Sequence, residues 1–371
     1  MPEKATAIAA ANIKNDFQGD DMRRGASAFT NSFPFIRSAV CASAIGCLAL
    51  ASTSTAVAQE QVRIAYSSNF TSGLTLYMSE VAPEIFAKHG VSVKLIDSRA
   101  NSPNCIATVL SKNAEICSAG TTTGTAAIAE GANLQAIAVT QGLIMEIVLT
   151  KAAAAKTGTT ATAPIEDRVR GLKGLTFVTA APGTFNYVMF DDMLRSVGLS
   201  VADMRYRTLT DQVAMKEGLR NASFDLVVWA GGAFADLEKD GLTTSWIKFA
   251  RGDLPQYSGI PFITVFADKD WIRANPKLVE KLHAGFVDAN RALKADPKKY
   301  SALIKAKFYP DISDVIWDNA FAQGVAAVWE SSAVTEQDWK FLMSRQETTS
   351  PGKNYSRVTF ENALHPVAQR R

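Results

Sequence analysis

Nine residues in this chain have types and positions suited to gripping a small molecule: Ser68, Asn69, Thr121, Thr122, Gln141, Gly183, Thr184, Phe185 and Trp229. Each falls in a loop just after a predicted strand, except Trp229, which ends one. Ser, Thr, Asn and Gln side chains hydrogen-bond a polar or anionic ligand without the cost of burying a charge. Gly183 and Thr184 offer backbone N–H groups, and Phe185 and Trp229 offer faces for a planar ring. Each hydroxyl also has an ordinary alternative as a helix cap or turn residue, and Trp229 as plain core. Tyr66 and Phe70 are weaker candidates. Arg99 either pairs with an anion or sits solvated in its loop. Covalent and metal chemistry find no such support. The three histidines are His89, at a helix end, and His283 and His365, far from the other candidates. No HExxH, no GxSxG and no cysteine cluster occurs. Asp191-Asp192 falls mid-helix and reads as a solvated face. No catalytic residue, metal site or cofactor is expected.

These side chains need elements to aim them, and the clearest is Gly171–Leu199. Leu175–Thr179 predicts a buried strand. Ala180–Thr184, AAPGT, predicts a turn in which Pro182 fixes φ and Gly183 permits the reversal. Asn186–Val197 has apolar residues at helical spacing, and Gly198 stops it. Strand, glycine turn and helix leave unpaired N–H groups at a helix start, a spot that attracts anions and polar ligand ends. The plainer alternative is that Gly183 only makes a turn.

The chain's 371 residues suffice for two lobes with real cores. Hydrophobic residues are 47% and charged ones 20%, as in an ordinary soluble protein. The net charge of +3 excludes an obvious nucleic-acid or polybasic membrane role. After Arg37 comes SAVCASAIGCLALAS, the length of a signal-peptide core, then STSTAVA with a small-x-small site ending at Ala58. The expectation is an export signal over 1–58, cleaved near Ala58, and a periplasmic product. The run is too short to span a membrane, and no later stretch reaches 18 apolar residues. Met22-Arg23-Arg24 offers an alternative start and a hint of twin-arginine export, leaving the Sec or Tat route open. Ala44–Cys47 loosely resembles a lipoprotein box but sits mid-core, so anchoring at Cys47 is not expected. Loss of 1–58 removes five basic and four acidic residues, lowering +3 to +2. It also leaves two cysteines, Cys105 and Cys117. They pair only if the helix carrying Cys105 folds back on the strand carrying Cys117; otherwise they are two small buried hydrophobes.

From Gln61 to Gly142 strands and helices alternate, which predicts a parallel sheet with helices on both faces. A second such set starts near 143 and includes strands at Arg205–Leu209, Phe224–Trp229 and Thr244–Ala250. Lys151–Pro164, KAAAAKTGTTATAP, reads as an exposed loop whose alanines favour some helix. Ile260–Ala267 is the last strong strand. Beyond it the chain is helical, with breaks at Pro276, Pro297 and Pro310; the tail from Glu347 is polar, and its end is expected to be mobile.

Several segments occur together in order: LYMSEVAPEIFAKHGVSV, SPNCIATVLSKNAEICSAGTTTGTAAIAEGANLQAIAV, IEDRVRGLKGLTFV, PGTFNYVMFDDMLRSVGL and FADKDWIRANPKLVEKLHAGFVDANRAL. With this order the chain resembles the SsuA/THI5-like (NMT1-type) periplasmic solute-binding proteins of ABC importers, over nearly all of 61–300. It departs from them at Ile85, where a Gly is common, and in the longer 151–164 loop. The resemblance implies an α/β, two-lobed periplasmic-binding-protein fold (type II). Each lobe would be a mostly parallel sheet flanked by helices, with a helical C-terminal part. It implies lobe one from 59–142 plus 266–371, lobe two from 143–265, and a ligand in the cleft between them. It also implies a monomer that serves a membrane permease and ATPase. Such proteins take sulfonates, nitrate, pyrimidines and aromatic acids, so a small anionic or planar organic solute is expected. Two other classes remain. One is a secreted enzyme of the same fold, like the pyrimidine synthases of thiamine biosynthesis, whose Cys-rich motif is missing here. The other is a secreted ligand sensor.

Overall fold

The computed structural model describes residues 59–68, 70–350 and 352–370. The export segment, Met22, Cys47 and Asn69 lie outside the described residues. Ten strands make two five-stranded sheets. The first holds β1 (Glu60–Tyr66), β2 (Val91–Asp97), β3 (Ile116–Gly120), β4 (Leu134–Gly142) and β10 (Pro261–Asp268), in the order β2-β1-β3-β10-β4. The second holds β5 (Met145–Thr150), β6 (Thr176–Thr179), β7 (Arg205–Thr208), β8 (Leu226–Ala230) and β9 (Thr243–Lys248), in the order β7-β6-β8-β5-β9. The strands are rich in Val, Ile and Phe, and most of β3, β4, β5 and β8 is buried on both faces, as expected of sheets covered by helices.

Neither sheet is wholly parallel. β10 runs antiparallel to β3 and β4, and β5 runs antiparallel to β8 and β9. The reason is where the chain crosses. β4 ends beside the gap between the sheets, and after the two residues 143–144 β5 starts there and must run away from it. Likewise β9 ends at the gap, and after residues 249–260 β10 starts at it. A strand entering a sheet at the end where its neighbours finish must oppose them. The return to the first sheet therefore begins at Pro261, five residues before the expected boundary at 266.

Helices cover both sheets. Pro276 and Pro297 occupy first-turn positions, where the missing N–H costs nothing, so they start Pro276–Ala295 and Pro297–Phe308. The helix Pro276–Ala295 buries Leu278, Val279, Leu282, Phe286, Ala289 and Leu293 at helical spacing. Lys151–Lys156 is helical, so the alanine half of the 151–164 segment follows its propensity.

Two expectations are corrected. The chain after Glu347 is packed: Ala363, Leu364 and Ala368 are fully buried. β4 is an edge strand with N–H and C=O groups to satisfy. Residues 327–332 and 364–365 cover it, through Gly142 N–H to Ala327 O (2.8 Å), Val139 N–H to Ser332 O (2.8 Å) and His365 N–H to Ala136 O (2.8 Å). Asp191 and Asp192 are buried rather than solvated. Asp191 accepts from Arg195 Nε and from the N–H of Val201, each at 2.8 Å, because the chain folds back at Ser200 over that side of the helix.

Cys105, in the helix Ser102–Leu110, is bonded to Cys117 of β3, with Cα atoms 5.5 Å apart. The helix does fold back on the strand. Among the described residues no helix is long and apolar enough to cross a membrane, and no three His, Cys, Asp or Glu side chains are grouped to hold a metal.

Candidate ligand-binding cleft

The ends of β1, β3, β6 and β8 and the start of β10 surround a cleft of about 220 Å³. That is below the usual size of a drug-sized pocket, so it suits a small solute. Ser68, Thr184, Phe185 and Trp229 line it together. Ser68 is buried, with its Oγ 3.1 Å from Ser118 Oγ. Phe185 meets Phe262 of β10 edge to face, with centroids 4.7 Å apart. Trp229 is half-buried at the end of β8, so it is more than core filler.

The other candidates have different duties. Thr121 is fully buried and spends its hydroxyl on Phe262 O (3.0 Å) and Thr264 Oγ1 (2.7 Å), pinning β10 to the next helix. Thr122 is fully buried and donates to Gly183 O at 3.4 Å, from the first sheet's side of the gap to the second's. Gln141 is buried, and its Nε2 donates to Thr71 O and Gly324 O, both at 2.9 Å. Gly183 lies beside the cleft with φ +82°, the left-handed region that favours glycine, so it makes the corner rather than the contact. The N–H of Thr184 closes this turn onto Ala181 O (3.1 Å) and is not free for a ligand.

Sequence reasoning missed Asn101, Ser102, Thr123, Asn186, Thr210 and Phe262, all of which line the cleft. For Asn101 and Ser102 a signal was available. Asn-Ser-Pro is a helix-start pattern right after a strand, and the Asn101 side chain caps the Asn104 N–H at 2.9 Å. Phe262 had none, since it reaches the cleft only because β10 is inserted beside β3.

Phe70, in the 3-10 turn Phe70–Gly73, sits at φ +49°, strained for a bulky residue. Its N–H donates to the Tyr309 hydroxyl at 2.6 Å, which in turn lies 2.6 Å from the Tyr77 hydroxyl. Burial pushes the Tyr77 and Tyr309 phenols up, so both stay neutral and keep their hydrogen bonds. Tyr66, beside them, is pushed up to about 12 by burial and by Asp97.

No Asp, Glu, Lys or Arg lines the cleft among the described residues. Arg99 is exposed in its loop. His89 is hydrogen-bonded to Asp288 (2.7 Å) and His283 to Ile137 O (2.9 Å), away from the cleft. Positive potential comes from backbone instead. Three helices, Ser102–Leu110, Thr121–Ala129 and Phe185–Arg195, begin at the cleft. The last two have no side-chain cap, and Thr123 and Asn186 of their first turns line the cleft. The arrangement can solvate a negative or carbonyl oxygen and hold an apolar ring against Phe70, Phe185, Trp229 and Phe262.

Two sheets of this order, joined by two crossings with a cleft between them, define a periplasmic-binding-protein fold. Solved structures agree. The periplasmic aliphatic sulphonate-binding protein SsuA of Escherichia coli superposes with TM-score 0.64 at 13% identity, over 82% of this chain and 98% of that one. The alkanesulfonate-binding SsuA of Xanthomonas axonopodis pv. citri, bound to MOPS, gives 0.61 at 14%, over 84% and 98%. The periplasmic nitrate-binding protein NrtA of Synechocystis PCC 6803 gives 0.55 at 12%, over 72% and 70%. Within that fold, the chain belongs to the NMT1/THI5-like family, whose model matches residues 81–300, more than half its length. Among curated proteins, none matches the chain by sequence.

Proposed function

We propose that the protein is the extracytoplasmic substrate-binding component of an ABC-type importer. It captures a small anionic or planar organic solute of the sulfonate, carboxylate or pyrimidine class. It closes by hinge motion and delivers the solute to a membrane permease driven by an ATPase. The observation that carries this is the convergence of three helix starts and four aromatic rings on a cleft without charged side chains. Membership of the NMT1/THI5-like family and the sulfonate- and nitrate-binding neighbours support it. In this reading the lobes part at the crossings 143–144 and 249–260, the protein is an exported periplasmic monomer, and the solute leaves unchanged.

The test is a thermal-shift screen of the purified protein with sulfonates, carboxylates and pyrimidines, beside a sugar and a divalent metal as controls. A true ligand at 100 times its Kd adds about 2.7 kcal/mol and raises the melting temperature. A shift with sugar or metal and none with the three classes overturns the assignment. So does turnover of any of these compounds.

A further inference from the structure

The helix Glu336–Thr349 comes from the C-terminal part of the chain and belongs structurally to the first sheet's side. Trp339 on it is fully buried, with Nε1 donating to Val358 O (3.1 Å), and the following segment returns to pair Leu364 with Ala136 of β4. Two adjacent residues on this helix reach in different directions. Gln346, buried, donates from Nε2 to Thr122 O (2.6 Å) and accepts at Oε1 from Thr125 Oγ1 (2.7 Å). Both partners lie in the first two turns of Thr121–Ala129. Arg345 lies with Nε 3.6 Å from Asp192 Oδ1, on Phe185–Arg195, and stacks on Phe341 at 4.7 Å. Beside this ion pair, Asp192 accepts a hydrogen bond from the Tyr257 hydroxyl at 2.5 Å, and Tyr257 sits in the crossing 249–260. Tyr257 also packs edge-on against Phe341, with centroids 6.1 Å apart.

We propose that Arg345 and Gln346 are positioning residues for the cleft. Together they limit how far the helix starts at Thr121 and Phe185, one from each sheet, move apart when the hinge opens, by tying both helices to one brace. This rests on the hinge-closing reading above. Neither residue touches the cleft, and both act through the helices they hold. Their effect is preorganisation: they bias the ligand-free hinge towards the closed spacing, in which the N–H groups facing the solute come into register. Asp192 explains why the tie is a charge. Its carboxylate is buried beside the crossing, and Arg345 is the cation that reaches it from outside its own helix.

The experiment measures the spacing directly, with no ligand. Spin labels go on Leu110→Cys and Val213→Cys, at positions 46% and 70% exposed, one on each sheet's side. The full chain is used, with Cys41→Ser and Cys47→Ser, while Cys105 and Cys117 are bonded to each other and do not label. Without the brace, Arg345→Met and Gln346→Leu shift the distance distribution longer and broaden it, while Arg345→Lys, which keeps the charge, restores the narrow one. Gln346→Leu strands little, because Thr125 Oγ1 also reaches Thr121 O at 2.9 Å. Distributions equal to the parent's in both variants overturn the proposal. Should Gln346→Leu fail to fold, Asp192→Asn decides: it keeps a bond from Tyr257, and an unchanged distribution there overturns the Arg345 tie. A failed solute screen leaves this readout intact, so the two proposals fail separately.

Discussion

Phe185, which opens a helix of the second sheet, and Phe262, the second residue of a strand of the first, meet edge to face across the cleft at 4.7 Å. Both are buried, so the pair closes the floor of the site with apolar surface from each side. Truncating either to Ala should destabilise the protein by about 3–5 kcal/mol. In a double-mutant cycle followed by urea unfolding, the pair should couple by about 0.5–1.5 kcal/mol. Strict additivity would mean that the rings do not interact in solution.

The first-turn N–H groups of Phe185–Arg195 give a second prediction. Proline is tolerated in the first turn, as Pro103 already is at the start of Ser102–Leu110. Asn186→Pro therefore removes one donor with little harm to the helix. One hydrogen bond to a charged group contributes roughly 1.5–3 kcal/mol, so affinity for an anionic solute should fall about tenfold or more. Calorimetric titration showing unchanged affinity would remove the helix start from the site.

Gln141 should behave as a structural residue. Replacing it by Leu leaves Thr71 O and Gly324 O without its two hydrogen bonds in a dry interior, at about 1–3 kcal/mol for each orphaned group. The urea midpoint should fall with an unchanged slope. The rank order of solutes in a binding screen should stay the same.

Asp253, in the second crossing, predicts a pH dependence. Burial alone would raise its carboxyl, but hydrogen bonds from Arg251, the Lys248 N–H and Arg168 outweigh burial and hold it at about 2. A carboxyl held below its ordinary value contributes stability above that value and loses it as pH falls through the folded one. Asp253→Asn should cost about 3–5 kcal/mol at neutral pH, since Arg168 stays buried without its counter-charge. Unfolding measured from pH 5 towards pH 2 should show the gap between parent and variant shrinking. A constant gap would mean that the ion pair does not form.

Local signals were legible where the chain talks to itself over a few residues. Pro182 and Gly183 announced the corner, and Gly183 takes the positive φ that corner needs. Thr121 and Gln141 show the limit. Their residue types fit either a ligand or a buried bridge. What decides is partners 141 residues away for Thr121, and 70 and 183 residues away for Gln141. The same distance hid β10: a strand that reads as the end of one sheet completes another. Asp191 and Asp192 looked solvated because the groups that cover them, Val201, Tyr257 and Arg345, arrive from outside their helix.

The insertion of β10 and the cover over β4 also bear on the order in which the protein takes shape. The second sheet draws on one continuous stretch, 145–248, whereas the first waits for Pro261–Asp268 and then for Leu364. Contacts that close long loops form late, and a growing chain makes its nearer contacts first. Pulse-labelled hydrogen exchange during refolding should protect the amides of β6 and β8 before those of β3 and β4. The opposite order would show that the discontinuous half nucleates the rest.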